Sequence, residues 1–309
     1  MVIGVSDYAH WPHMEPSFVD AKRVRNFLIK DADFDCVYTL TNAKATKSHI
    51  EKLMQEVFPR LLSKDDRFFF YFSGHGTQRN TRRGAIGYLP LISAERQGYA
   101  SMISMDDIEQ WSHLLGDIRQ ALFVLDACFS GLAGFQLKGE LRDKTVAGLS
   151  QYAHHLITAG TANEKSLASI KLWNGSLFTN AFLNGASGLA DTWTHEYPKD
   201  GIVSLKELLV YIKKVIDAES LKNQIRMSPQ ISDLEADNAG EFFFLAKTSP
   251  NAERGAEEEG STVTFSNAVV SGATFAAPVS HSQLTRAGII RTQNCLPNLA
   301  MSRGRRTDQ

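Results

Sequence analysis

The sequence predicts an α/β fold: a mainly parallel sheet with helices on both faces. Two observations carry this. Several runs are apolar at nearly every position, among them "RFFFYFS" from Arg67 to Ser73, "ALFVLDA" and "HHLITAG". Strands buried on both faces read this way, and such strands belong to parallel sheets shielded by helices. The segments between them carry apolar residues at helical spacing, the alternation of a layered α/β domain.

The elements follow in order. "MVIGVS" reads as the first strand. "SFVDAKRVRNFLIKD" is a helix, with Phe18, Val19, Val24, Phe27, Leu28 and Ile29 near helical spacing. "FDCVYTL" is a second strand, with Cys36 as a core residue on it. Ser48 to Leu62 is a second helix, opened by Ser48 and Glu51 as a capping box, in which hydroxyl and carboxylate satisfy orphan N–H groups of the first turn. Arg67 to Ser73 is the third strand. Ser104 with Asp107 and Ser204 with Glu207 open further helices in the same way. "ALFVLDA" and "HHLITAG" are two buried strands, the second opened by His154 and His155 as structural residues, and "EFFFLA" is the last strand. Beyond Leu245 the texture turns polar, with an acidic run at Glu257 to Glu259 and a basic end "MSRGRRTDQ". The organisation expected is a domain over 1–245 and a tail over 246–309, either an interaction element for an unidentified partner or a solvated extension.

Bulk properties exclude several classes. The net charge of −1 over 309 residues gives no electrostatic reason to expect nucleic acid or anionic membrane as partner. Three widely spaced cysteines suit neither a disulfide framework nor a zinc site. No apolar run reaches the roughly 18 residues of a membrane span. "MVIGVSDY" lacks the basic start and long apolar core of a signal peptide. A cytoplasmic location is expected, with no cofactor and no bound metal.

Two short motifs carry chemistry: "YFSGHGTQ" around His75 and "VLDACFSG" around Cys128. A cysteine ending a buried strand is usually a small core residue, and a histidine after a strand is usually structural. Together they read differently. Both follow strands, and sites in such sheets form at the carboxyl ends of strands. The histidine precedes the cysteine by about 50 residues, the order and separation of a caspase signature. Thiolate is the nucleophile while the free thiol is mostly protonated, so a nearby imidazole has a proton to take and later to return. Glycines beside His75 let a substrate backbone approach, and the Gly76 amide is placed to meet an oxyanion.

With these boxes the sequence resembles the caspase-like cysteine peptidases of clan CD, specifically the bacterial metacaspase-like branch called orthocaspases. "YFSGHG" and "DACFSG" match the His and Cys boxes. "GVSDY", "VDA", "ITAGTANEKS", "GSLFTNAFLNGASG" and "DGIVSLKELL" extend the match from Met1 to about Leu245. The resemblance implies a caspase-like three-layer sandwich with a mainly parallel six-stranded sheet. It also implies a Cys–His dyad that cleaves peptide bonds through an acyl-enzyme, with Cys128 as nucleophile and His75 as general acid/base. The amides of Gly76 and Cys128 would form the oxyanion hole.

Asp126, and Asp20 in "VDA", match the acidic S1 residues of metacaspases. Two carboxylates in a desolvated pocket favour a guanidinium or ammonium, so the expected partners are protein or peptide substrates with Arg or Lys at P1. Where many metacaspases carry an Asp-rich, calcium-binding stretch after the His box, this chain reads "GTQRNTRRGAIGYLP". Hard oxygen ligands are missing there, so calcium dependence is not expected. The stretch after Cys128 lacks periodicity and carries Lys138, Arg142 and Lys144, candidate sites of self-processing. The competing expectations are a caspase-like scaffold without activity and another clan CD peptidase, separase-like or gingipain-like.

Overall fold

The computed structural model describes residues 1–82, 84–127, 151–160, 168–191, 199–223 and 227–246. The first half contains β1 (Val2–Gly4), α1 (Glu15–Lys30), β2 (Thr39–Thr41), α2 (Lys47–Lys52), α3 (Phe58–Leu61), β3 (Arg67–Ser73), β4 (Thr77–Thr81), β5 (Gly84–Leu89), β6 (Ile103–Ser104), α4 (Met105–Leu114) and β7 (Gln120–Asp126). The second contains β8 (Ala153–Thr158), β9 (Ala168–Ser169), α5 (Ile170–Trp173), β10 (Gly175–Ser176), α6 (Leu177–Asn184), β11 (Ile202–Ser204), α7 (Leu205–Asn223), β12 (Gln230–Asp233) and β13 (Phe243–Leu245).

Six strands form the central sheet in the order β12–β8–β7–β3–β1–β2. All neighbours run parallel except β12, which is antiparallel to β8. The apolar runs are explained by the two layers they divide. In β3, Phe68, Phe70 and Phe72 enter one core with Ile50, Phe58, Ile108 and Trp111. Phe69 and Tyr71 enter the other, with Val24 and Phe27 of α1, Phe178 and Phe182 of α6, and Leu208 and Ile212 of α7. β7 divides its side chains in the same way, Phe123 to the first core and Leu122 and Val124 to the second. Each of these large side chains stabilises the fold by about 1.5–3 kcal/mol relative to exposure.

Three local expectations are revised. The sixth sheet strand is β12, not "EFFFLA"; β13 instead pairs antiparallel with β11 in a separate two-stranded sheet. The second helix is capped by Thr46, two residues ahead of Ser48; the Thr46 hydroxyl accepts the His49 N–H at 3.3 Å, and a π turn at Leu53–Val57 separates α2 from α3. "GTQRNTRRGAIGYLP" carries β4 and β5, which with β6 form an antiparallel sheet outside the central one. β2 begins only at Thr39, so Cys36 lies in the loop before it and is disulfide-bonded rather than a reduced core residue. The caps at Ser104–Asp107 and Ser204–Glu207 form as expected, with 2.7 and 2.8 Å bonds from the serine N–H groups to the carboxylates. His154 is structural: it is fully buried, bonded to Ile118 O and Ser112 Oγ, and burial pushes it down to about 4.

Among the described residues no helix is long and apolar enough to cross a membrane.

Candidate active site

β3 delivers His75. At its end Val5 N–H bonds the Ser73 carbonyl (3.0 Å) and Gly74 N–H reaches the Asp126 carbonyl (3.3 Å). Position 74 has no room for a side chain. A Cβ there would lie 2.3 Å from Tyr8 Oη and 2.9 Å from the Phe72 ring. This closeness lets Tyr8 Oη accept the His75 N–H at 2.8 Å, fixing the backbone of the histidine to the segment after β1.

The ring is held from the same segment. His75 Nε2 lies 2.8 Å from the Pro12 carbonyl. A carbonyl only accepts, so Nε2 carries the proton and the neutral ring keeps its lone pair on Nδ1. The Tyr8 and Trp11 rings flank the imidazole, with centroids at 4.8 and 5.7 Å. Trp11 anchors its own loop by donating Nε1–H to the Ala94 carbonyl (2.9 Å), and Ala9 N–H bonds Ile92 O (2.9 Å). The Arg96 guanidinium stacks on Trp11, 5.4 Å from its centroid. Burial lowers the His75 pKa from its ordinary value; the Pro12 bond opposes this and Arg96 adds to it. At neutral pH the ring is therefore a base.

Ser73 and Asp126 are paired residues on the adjacent parallel strands β3 and β7. His75 and Cys128 each follow that pair by two residues. Cys128 itself, and with it Lys138, Arg142 and Lys144, lies outside the described residues.

Asp20 and Asp126 are brought together, both buried, at 0% and 3% exposure. They share Ser176. Its N–H donates to Asp20 Oδ2 (2.9 Å) and its hydroxyl donates to Asp126 Oδ2. Thr179 Oγ1 also donates to Asp126 Oδ2 (2.6 Å), which leaves Tyr71 as the donor in its 2.5 Å bond to Thr179. Gly175 is forced: it has φ 141°, and a Cβ there would lie 1.9 Å from Asp20 Oδ1. Arg23 approaches Asp20 at 3.5 Å and pins the neighbouring loop through the carbonyls of Trp173 and Asn174 and the Asn180 side chain. Burial, then the charge of Asp126, pushes Asp20 up to about 8, against the Ser176 and Arg23 bonds.

Sequence reading did not find Tyr8, Pro12, Trp11 and Arg96. Pro12 acts through its carbonyl, which no side-chain pattern announces. Nor did sequence reading find Ser176 and Thr179, whose hydroxyls satisfy Asp126; Ser176 also caps α6, its Oγ accepting the Thr179 N–H at 2.9 Å. Among the described residues no group of three or more His, Cys, Asp or Glu is arranged to hold a metal ion.

A family model for the caspase domain of the C14 peptidases matches residues 1–238, and the chain belongs to that family. Its members are cysteine peptidases acting on protein substrates, and the six-stranded sheet is that of the caspase-like fold. Among solved structures, the chain is similar to a protein from Geobacter sulfurreducens at 16% identity, covering 81% of this chain and 94% of that one, with TM-score 0.48. It is also similar to caspase-1 from Spodoptera frugiperda at 14% identity, covering 76% and 88%, with TM-score 0.48. No curated protein matches the chain.

Proposed function

We propose that the protein is a cysteine endopeptidase of the metacaspase-like branch that cuts after Arg or Lys, with Cys128 as nucleophile and His75 as general acid/base. One observation carries this reading: Ser73 and Asp126 face each other in the β3–β7 register, and His75 and Cys128 each lie two residues beyond. The base is prepared for the task. Nε2 is occupied by Pro12, so Nδ1 receives the thiol proton. The thiolate attacks the scissile carbonyl, and the Gly76 and Cys128 amides receive the developing oxyanion. The same Nδ1–H then protonates the leaving amine, and water activated by the neutral ring hydrolyses the thioester.

For specificity, Asp20 and Asp126 supply the S1 charge. Two carboxylates that repel each other in a dry site gain from a guanidinium or ammonium and repel a P1 carboxylate. The test is a peptidyl-Arg halomethyl ketone with the reduced full-length protein. Mass spectrometry should find the adduct on Cys128, and the Cys128→Ala variant should take none. An unlabelled Cys128 alongside cleavage of Arg peptides would assign the nucleophile elsewhere. Faster turnover of P1 Asp than of P1 Arg peptides would remove the acidic pocket.

A further inference from the structure

The two faces of the sheet carry opposite charge at the end that holds His75. Asp20 belongs to α1, whose Ala21 and Val24 enter the second core. The Asp126 carboxylate is held by Ser176 and Thr179 at the start of α6, whose Phe178 and Phe182 enter the same core. The acids are thus on the second-core face. Tyr8 belongs to the first core and Trp11 packs on it, beside Ile92. The His75 ring lies against both, so it leans toward the face opposite the acids.

The rim of that opposite face is basic. The Arg96 guanidinium stacks 5.4 Å from the Trp11 centroid, which is 5.7 Å from the imidazole; end to end, these distances keep its charge within about 11 Å of His75. That charge is felt at His75, whose pKa it helps to lower. Arg96 is exposed, and among the described residues its guanidinium has no hydrogen bond and no ion pair. Asp7, on the neighbouring segment, is already held by Asn42 Nδ2 (2.6 Å) and His13 Nδ1 (3.1 Å). Arg79 on β4 repeats the arrangement. It is exposed, its guanidinium stacks 5.5 Å from the Tyr99 centroid, and it too has no ion pair among the described residues. The ledge that carries both is fastened. Tyr99 Oη donates to the Gln78 carbonyl (3.3 Å), and Ile92 and Ala94 accept from Ala9 and Trp11. Stacking uses the face of a guanidinium and leaves its fork of donors open to a carboxylate.

We propose that Arg96, on its Trp11 mount, binds an acidic side chain in the leaving half of the substrate, at P1′ or P2′. The inference rests on the peptidase reading above. There His75 protonates the leaving amine, so the residues that begin with that amine start beside the imidazole. The P1 side chain is held on the second-core face, and the chain beyond the cut passes His75 toward the other. Each residue spans up to ~3.3–3.6 Å, so Glu or Asp one or two residues past the cut brings its carboxylate to the guanidinium. The enzyme then reads a cation before the scissile bond and an anion after it.

The test uses the reduced full-length protein and P1 Arg peptides that differ only by Glu or Gln at P2, P1′ or P2′. At low salt, Glu at P1′ or P2′ should raise kcat/KM about threefold to fivefold, the range of an exposed ion pair. Glu at P2 should not, and the advantage should vanish at ~1 M salt. The Glu-to-Gln ratio is compared within each variant, so that any change at His75 cancels. Arg96→Gln should abolish the difference, Arg96→Lys should keep most of it, and Arg96→Glu should invert it and favour Lys at the same position. A purely structural stack would slow both peptides together and leave the ratio unmoved. Equal turnover of Glu and Gln peptides by the wild type, an advantage that survives in Arg96→Gln, or one confined to P2 overturns the assignment while leaving the peptidase reading in place. If no P1 Arg peptide is cut, the peptidase reading falls and this assignment falls with it.

Discussion

At the scale of single residues, His75 and Asp20 are tuned in opposite directions for one purpose. Burial lowers the His75 pKa and raises that of Asp20, so both favour their neutral forms; in the proposed mechanism His75 then takes a proton and Asp20 gains its charge when a cation arrives. Cys128→Ala should abolish amidolysis without unfolding the protein. The His75→Ala loss should not multiply with it, because residues acting as a unit are non-additive; residual cleavage by Cys128→Ala would remove the nucleophile assignment. Asp20 makes a pH prediction. With its pKa at about 8, Asp20 gains its charge beside Asp126 as pH rises through 8. If the pair forms S1, the KM for P1 Arg peptides should fall between about pH 7 and 9 and level off above that. Stability moves the other way. The folded pKa lies above the unfolded value of about 3.9, so the native state holds a proton that the unfolded chain releases. This stability is present below pH ~4 and lost as pH rises through 8. In Asp20→Asn, Tm should decline less between pH 5 and 9 than in the wild type, while KM for Arg peptides rises. A parallel Tm decline in both proteins would show that Asp20 is not the titrating group.

At the scale of elements, the site is assembled by short segments that lock onto strand ends. The 9–14 segment carries the Pro12 carbonyl to His75, and Trp11 fastens it to Ala94. Trp11→Phe keeps a ring beside the imidazole but loses one hydrogen bond, worth about 1 kcal/mol. A roughly fivefold fall in kcat is expected, with little change in KM. The acid limb of the kcat/KM profile should move up toward the ordinary histidine value as the ring gains water. A lower Tm with an unmoved acid limb would make Trp11 merely structural. Here too lies the boundary of what the sequence disclosed. β3, β7 and β8 were legible because both their faces are buried, so apolar residues run without alternation. β12, "QISD", carries polar residues at the sheet edge and gave no such signal. The "EFFFLA" run promised a central strand. Its phenylalanines are buried, but Phe242 and Phe244 enter the second core, where Phe244 meets Phe27 of α1 and Phe182 of α6, with β11 as the pairing partner. The acidic pair was legible from two boxes; Ser176, which joins them, was not.

At the scale of the whole molecule, the order of the strands sets what a cut chain would do. The segment between β7 and β8 holds Lys138, Arg142 and Lys144, whereas β7 and β8 pair along Gln120–Leu125 and Ala153–Thr158. Self-cleavage there, most simply after Arg142, should give two fragments that co-elute under native conditions and separate in denaturant. Cys128→Ala should stay whole. Active protein that remains intact would remove the processing step and leave the peptidase reading in place. The pairing order also bears on synthesis. β3 lies between β1 and β7 in the sheet, and the partners of its last residues are drawn from Gly4 and Asp126. Such distant pairings close late, because loop entropy is lost before contacts form. A nascent chain therefore has no seat for the histidine until Asp126 has emerged. It also lacks Ser176, which bonds both Asp20 and Asp126, until that residue follows. On the proposed function, a newly made chain is thus silent while its own unfolded N-terminal half is most open to cleavage. A chain ended after Gly160, with Cys128 present, is expected to take up no peptidyl-Arg probe; labelling of that fragment would mean that the site matures before its sheet.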